Sequence, residues 1–349
     1  PVFGASPDKN TKEIIVNSEN FFEGKFRNIK TTYTNFRTLE RKSTLEEWLF
    51  PPKDKNPLGP LPTIKFQGQD FTEGKFVWFG HSTLLMKTED LVVMTDPVFN
   101  RASPLPSFSS KSKSSFFNGK PFVFENPILI EDLPKVDVVI ISHDHYDHLD
   151  SKAIKDLSNL VDHFIVPLGV GAHLKRWGVD KNKITELDWY ESKIYKDVEF
   201  IFAPALHFSG RGITNGNSTL WGSWIVKSKS LSAYFSGDGG YSETFKKLGN
   251  EYGPFDIAFI ENGAYNIDWS NVHMFPDESV QASIDLKAKV LLPIHWSKFD
   301  LSIHPWDEPI IRITKEAAKK NVNIATPMIV EVFELSSIPK KPWWEKLRN

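Results

Sequence analysis

Three histidines and two aspartates stand within six positions of this chain, in Ser142-His143-Asp144-His145-Tyr146-Asp147-His148-Leu149. Residues 136–141 before them are apolar except for Asp137 and read as a buried strand. The cluster therefore falls on the loop where a strand ends, a frequent seat of chemistry in α/β folds. Neutral imidazole and carboxylate suit zinc, iron or manganese. A histidine-rich surface turn is the bland alternative, but the chain has ten histidines and three stand here. His143 and His145 can reach one metal from the same side of the loop, while Asp147 and His148 turn to a second. Two catalytic metals need about three protein ligands each plus an open position, so more ligands must come from later in the chain. His207, Asp238 and His295 each follow an apolar, strand-like run. The set of five histidines and two aspartates is then enough for two metals sharing one carboxylate. Such a centre lowers the pKa of a bound water to about 7 and takes up charge developing on a phosphoryl or carbonyl oxygen. Phosphodiester hydrolysis asks for little more.

Other residues could support that chemistry. Asp96, in Thr95-Asp96-Pro97, can orient a ligand histidine through its second ring nitrogen or simply form a turn. His81 supports the loop or is a buried structural histidine. Arg101 and Arg211 are phosphate partners or surface residues. His163, His173 and His304 lack a ligand setting and read as ordinary.

The elements that must hold these residues follow from pattern and punctuation. Strands are expected at 75–80, 83–87, 91–95, 136–141, 163–166, 198–203, 220–226, 231–236, 256–260, 289–294 and 328–333. Helices are expected near 151–159, capped by Asp150 or Ser151, and at 169–176, 242–249, 276–287 and 308–320. Residues 1–70 lack a sustained period and read as an extension wrapping the domain, with a short helix near 44–49. A catalytic domain over 71–335 and a tail over 336–349 complete the division. Mixed strands followed by helices argue for an α/β fold of two sheet layers covered by helices.

The 349 residues are 40% hydrophobic and 25% charged, with a formal charge of −2, which gives no general pull toward nucleic acid. The absence of cysteine excludes disulfides, thiolate zinc sites and cysteine nucleophiles. No run of 18 apolar residues offers a membrane span. The chain starts at Pro1 rather than Met, so something upstream is expected to have been removed. Residues 103–127 form a Ser-, Lys- and Pro-rich loop that carries Phe108, Phe116, Phe117, Phe122 and Phe124 beside Lys111, Lys113 and Lys120. Basic charge beside exposed aromatics suits an anionic headgroup and acyl chains; a solvated loop folded over its own aromatics is the alternative.

The H-x-H-x-D-H run is the signature of the metallo-β-lactamase superfamily. Trp78-Phe79-Gly80-His81-Ser82-Thr83, Thr95-Asp96-Pro97-Val98-Phe99, Arg101-Ala102-Ser103-Pro104, Glu186-Leu187-Asp188-Trp189, Leu220-Trp221-Gly222-Ser223-Trp224 and Ile294-His295-Trp296 resemble the N-acyl-phosphatidylethanolamine-hydrolysing phospholipase D family and its bacterial, RomA-like relatives. The likeness runs from about Phe71 to about Val332. Gly239 departs from it, since relatives often carry Thr or Ser there. The resemblance implies a four-layer αββα sandwich with two metals, zinc or in one site iron or manganese, at one edge between the sheets. It assigns His143, His145 and His207 to one metal, Asp147, His148 and His295 to the other, and Asp238 to both. Asp144 points away in the family. His273 matches a position near the substrate, where it could bind phosphate, protonate the leaving alkoxide or serve structure alone. Asp147, Asp238 and His273 are thus the expected catalytic residues. The implied activity is cleavage of N-acyl-phosphatidylethanolamine-like phospholipid to phosphatidic acid and N-acylethanolamine. A lactone or ester hydrolase on the same centre, or a metal-binding stress protein without turnover, are the rivals. The expected setting is a bacterial membrane surface, on either side, with phospholipid as partner, no nucleic acid, and room for a homodimer.

Overall fold

The computed structural model describes residues 2–29, 43–44, 46–47, 50, 52–104 and 119–347. Helix α1 (Lys9–Asn17) and the hairpin β1 (Phe21–Phe22) and β2 (Lys25–Phe26) come first. β3 (Lys75–Trp78), β4 (Leu84–Thr88), β5 (Leu91–Thr95) and β6 (Val136–Ile140) then lead to α2 (Ser151–Leu157), β7 (Val161–Pro167), α3 (Gly171–Arg176) and β8 (Ile184–Leu187). β9 (Ser192–Tyr195), β10 (Val198–Ala203), β11 (Ser223–Lys227), β12 (Ser232–Phe235), α4 (Thr244–Glu251), β13 (Ile257–Glu261), α5 (Pro276–Asp285), β14 (Leu291–Ile294), α6 (Glu308–Lys319) and β15 (Val332–Glu334) complete the order.

One seven-stranded sheet runs β15-β3-β4-β5-β6-β7-β8 and one six-stranded sheet runs β14-β13-β12-β11-β10-β9. Each has an antiparallel half and a parallel half. In the first, β5 to β8 are parallel; in the second, β12 to β14 are. The sheets face one another. Phe76 of β3 meets Phe259 of β13 at 6.0 Å between ring centroids, and Trp224 of β11 donates its indole N–H to the Ile141 carbonyl at the end of β6. Val138, Ile140, Ile165, Phe200 and Phe235 are fully or almost fully buried between these layers, where each such side chain contributes about 1.5–3 kcal/mol. Helices cover the outside, with α5 and α6 packed on each other and α2 burying Ala153, Ile154 and Leu157. This is the expected αββα sandwich.

Local chemistry sets the boundaries. The Asp150 carboxylate caps α2 by accepting from the N–H groups of Lys152 and Ala153, and its other oxygen accepts from the backbone and side-chain N–H of Asn100. Pro276 opens α5 within an Asp- and Glu-bearing first turn.

Several expectations shift. The strand expected at 328–333 is regular only over Val332–Glu334, although Ile329 bridges Thr63. Helix α1 lies within the stretch read as having no period: Ile14, Ile15 and Val16 are consecutive and only Ile15 is buried, so no apolar stripe announces it. β8 and β9 were not expected either. Both are four-residue edge strands, one in each sheet, little buried and carrying Thr185, Glu186 and Lys193, polar residues of the kind that guard edges. The helix expected near 44–49 lies partly outside the described residues, as do Phe108, Lys111, Lys113, Phe116 and Phe117. Phe122 and Phe124, read as loop aromatics, instead pack half-buried on the core, held where the segment pairs with Leu61 and Lys298. Among the described residues no helix is long and apolar enough to cross a membrane.

Candidate metal centre

Every residue of the cluster sits at a strand's C-terminal end or in a turn on that edge. β6 delivers residues 143–148, β10 delivers His207, β12 delivers Asp238, β14 delivers His295, and the β3–β4 turn supplies His81. Because β5–β6 and β12–β14 are parallel, their ends open on the same edge of the sandwich. The turns are tight. His81, Asp96 and His295 adopt left-handed backbone, with φ of 54°, 31° and 67°, a conformation that costs non-glycine residues energy and clusters at functional sites. At Gly237, φ is 57° and a Cβ would stand 2.5 Å from the Ser142 side chain, so the approach of β12 to the 143–148 loop requires glycine.

The side chains converge in groups whose ligand atoms all lie within 4.8 Å of one another: His143, His145 and His207; His81, Asp147, His148 and His295; and His143, His148 and Asp238. Asp238 Oδ2 is 3.0 Å from Nε2 of both His148 and His295 and about 4 Å from Nε2 of His143 and His207, at 4.0 and 3.9 Å. Asp147 Oδ2 is 3.2 Å from His295 Nε2 and 3.1 Å from His81 Nε2.

The outer ring nitrogens are already engaged. His148 Nδ1 donates to Asp96, His143 Nδ1 meets Ser142 Oγ, His207 Nδ1 meets the Val272 carbonyl and His295 Nδ1 the Gly263 carbonyl. Four Nε2 atoms are thereby turned inward. His145 presents Nδ1 instead, 2.8 Å from His143 Nε2 and 3.3 Å from His207 Nε2. With its proton on Nε2, His145 offers Nδ1 as a third lone pair toward a point shared with His143 and His207, where a cation fits. His148 Nε2 and Asp238 Oδ1 are buried without a hydrogen-bond partner, although His148 Nε2 is close to the other Asp238 oxygen. Such convergence without pairing, from nitrogen and carboxylate donors, fits divalent metal.

Electrostatics agree. Burial drives the imidazoles of His143 and His207 well below their usual pKa, toward the neutral form that binds metal. Burial also disfavours charge on His148 and His295, but Asp238 and Asp147 outweigh it and hold both above the usual value, His295 at about 10. Burial alone would raise Asp147 and Asp238, yet the surrounding histidines hold both carboxylates well below the usual range. These acids and bases are in mutual need of a charge, which a cation supplies in place of protons.

All seven residues read from the sequence as ligands are thus brought together, and His81 joins them through Asp147. Asp96 is fully buried against His148. His273 is half-buried beside the cluster, its ring 5.3 Å from both His207 and His295. Glu261 was missed. It is fully buried at the end of β13, accepts from His273 Nδ1 at 3.0 Å and from the Met274 and Gly239 N–H groups. A lone acid closing the apolar run Ile257-Ala258-Phe259-Ile260 was its signal, the same strand-end setting as the ligands.

Arg211, read as a phosphate partner or a surface residue, is buried and donates to backbone carbonyls; with no free face, its guanidinium cannot take a phosphate. Arg101 is half-buried in a cleft lined also by Val2, Asn100, Tyr146, Leu149 and Lys152. His163 meets Thr185 and His304 stacks on Tyr265, both away from the cluster. His173, also read as ordinary, bonds Asp144. The motif tryptophans are framework: Trp78, Trp189, Trp221 and Trp296 all donate to backbone carbonyls.

Two facing mixed sheets with a His/Asp cluster on their common edge define a metallo-hydrolase. A family model described as "Beta-lactamase superfamily domain" matches residues 92–296, and the chain belongs to the metallo-β-lactamase superfamily. It is 37% identical to an uncharacterised protein of Mycobacterium tuberculosis over 94% of this chain and 87% of that one. It is 33% identical to the N-acyl-phosphatidylethanolamine-hydrolysing phospholipase D 1 of Caenorhabditis elegans, over 87% of this chain and 88% of that one. The solved structure of an isothiocyanate hydrolase from Delia radicum gut bacteria aligns with a TM-score of 0.57 at 17% identity, covering 74% of this chain and 98% of that one; it speaks for the fold alone.

Proposed function

We propose that the chain is a phosphodiesterase of phospholipase D type that uses two divalent ions, zinc in at least one position, to cut N-acyl-phosphatidylethanolamine-like phospholipids into phosphatidic acid and N-acylethanolamine. The observation that carries hydrolysis is the convergence of His143, His145, His207, Asp147, His148, His295 and Asp238 on one sheet edge. The lipid is supported by the 33% identity with the C. elegans phospholipase over nearly all of both chains.

In this reading His143, His145 and His207 hold one ion, Asp147, His148 and His295 the other, and Asp238 faces both. Divalent ions held there would supply charge neutralisation for the phosphodiester and would lower the pKa of a water to about 7. Asp96 and the Val272 and Gly263 carbonyls fix the imidazoles that meet the ions. His273 is held by Glu261 through Nδ1, which leaves Nε2 to donate a proton to the departing alkoxide. Burial depresses the His273 pKa, but the Glu261 carboxylate outweighs it and the net shift is upward, toward the protonated form that an acid needs. The enzyme works at a membrane surface, to which Lys111, Lys113, Phe108, Phe116 and Phe117, rather than the core-packed Phe122 and Phe124, bring it; it takes no nucleic acid as partner.

The test is product analysis on purified protein with N-acyl-phosphatidylethanolamine vesicles, a soluble phosphodiester and a lactone. Phosphatidic acid and N-acylethanolamine should form, and chelation should stop it. Turnover of the lactone alone would overturn the lipid assignment and keep the hydrolase; no turnover of any of the three would leave a metal-binding protein.

A further inference from the structure

The face of the 143–149 loop turned away from the cluster is bound by residues from three distant parts of the chain. Arg211 is 2% exposed. Its Nη1 donates to the carbonyls of Asp144 and Leu149, both at 2.7 Å, so one guanidinium spans the two ends of the ligand-bearing loop. Its Nε and Nη2 donate to the Val2 carbonyl at 3.1 and 2.8 Å. The guanidinium lies 4.1 Å from the Tyr146 ring centroid and 5.1 Å from that of Trp177. Asp144 lies between two ligand histidines yet turns its carboxylate to the same side. One oxygen accepts from the Gly210 N–H at 2.7 Å and the other is 3.2 Å from His173 Nε2. His173 Nδ1 in turn accepts from the Ala5 N–H at 3.0 Å. The fit leaves no slack: a Cβ on Gly4, where φ is 78°, would stand 2.0 Å from His173 Nδ1.

A guanidinium used on three carbonyls is unavailable for substrate, and a buried carboxylate used on His173 is unavailable for metal. Their shared effect is on geometry. The loop must aim three imidazoles and a carboxylate at fixed points from six consecutive positions; inside it only the His148 and Leu149 N–H groups bond back, both to the His145 carbonyl, and Asp96 holds its cluster side, so its outer face is left to Arg211 and the Asp144–His173 pair. We infer that Arg211 and the Asp144–His173 pair are positioning residues that lock the ligand loop to the N-terminal segment, so that metal retention depends on residues 2–5. This rests on the metal-centre reading above.

The experiment measures divalent metal per chain and the rate at which zinc passes to a chromogenic chelator, in the full chain and in Arg211→Gln, Arg211→Lys, Gly4→Val and His173→Phe. Phe76→Leu, a core change between the sheets, is the control for general destabilisation. Arg211→Gln and Gly4→Val should release zinc on the order of 10–100 times faster, and Arg211→Lys, which keeps a cation for the carbonyls, should recover part of that loss. His173→Phe preserves the ring against Trp177 and should behave like Gly4→Val. Release at the parent rate in both Arg211→Gln and Gly4→Val overturns the inference, as does equal acceleration in Phe76→Leu at matched melting temperature. If Arg211→Gln does not fold, Gly4→Val and His173→Phe decide alone. A parent chain that binds no metal refutes the metal-centre reading itself, a result distinct from parent-like release in the variants.

Discussion

Asp96 and His148 share a hydrogen bond of 2.6 Å, Nδ1 to Oδ2, with both side chains fully excluded from solvent. The aspartate directly follows β5 and the histidine lies on the loop after β6, its parallel neighbour. Burial pushes the Asp96 carboxyl up, and the histidine and Ser142, which donates through both N–H and Oγ, oppose that. The bond therefore fixes the tautomer and aim of a proposed ligand. Asp96→Ala should weaken metal binding by about 10–100-fold, read by competition with a fluorescent chelator. Unchanged affinity would remove Asp96 from the centre's support.

Asp238 is the carboxylate closest to all four inward Nε2 atoms. Asp238→Asn should cost more turnover than Asp147→Asn or His295→Ala, because both ions lose charge compensation, and the metal content should fall below two per chain. His163→Ala, whose ring bonds Thr185 and stacks on Tyr195 away from the cluster, should keep near-parental rates. Kinetics with elemental analysis checks the series; near-parental turnover in Asp238→Asn would end the two-ion mechanism.

That these seven side chains would converge was legible because each follows an apolar run, and the parallel halves of the sheets gather such strand ends on one edge whatever the intervening loops do. Asp96, which directly follows β5, was legible for the same reason. What joins that edge from other directions was not. Arg211 looks like a surface base until the fold carries Val2, Asp144 and Leu149 to it across 209, 67 and 62 residues. His173 sits on α3 with no ligand neighbour in sequence, and only packing puts Asp144 against it. α1 escaped because a helix that buries two residues leaves no stripe to read. Phe122 and Phe124 were misjudged because composition marks a loop without telling which of its aromatics fold inward.

Glu261 holds His273 by its Nδ1. If His273 protonates the leaving group, the need for it depends on how poor that group is. Glu261→Gln and His273→Gln should slow hydrolysis of a phospholipid, which expels an alkoxide, by about 10²–10⁴. They should cost far less on a bis-p-nitrophenyl phosphate probe, whose leaving group departs without a proton. Equal losses on the two substrates would make the pair structural.

Lys298 supplies a pH dependence separate from the cluster. It is 2% exposed, donates to the Phe79 carbonyl at 3.1 Å and lies 5.2 and 5.9 Å from the rings of Phe99 and Phe124. Burial lowers its pKa from 10.5 to about 7, with Asp150 opposing only in part. The unfolded chain keeps this proton up to about pH 10.5, whereas the native chain gives it up near pH 7. Between those values the unfolded state binds more protons, so this group makes stability rise with pH. Lys298→Met removes the titration and leaves every other group in place. The stability of the parent relative to Lys298→Met should therefore increase by roughly 2–3 kcal/mol between pH 7 and pH 9, measured by urea unfolding of the metal-loaded proteins. A difference that stays constant over that range would mean that Lys298 keeps its proton, with the two aromatic faces and the carbonyl compensating its burial.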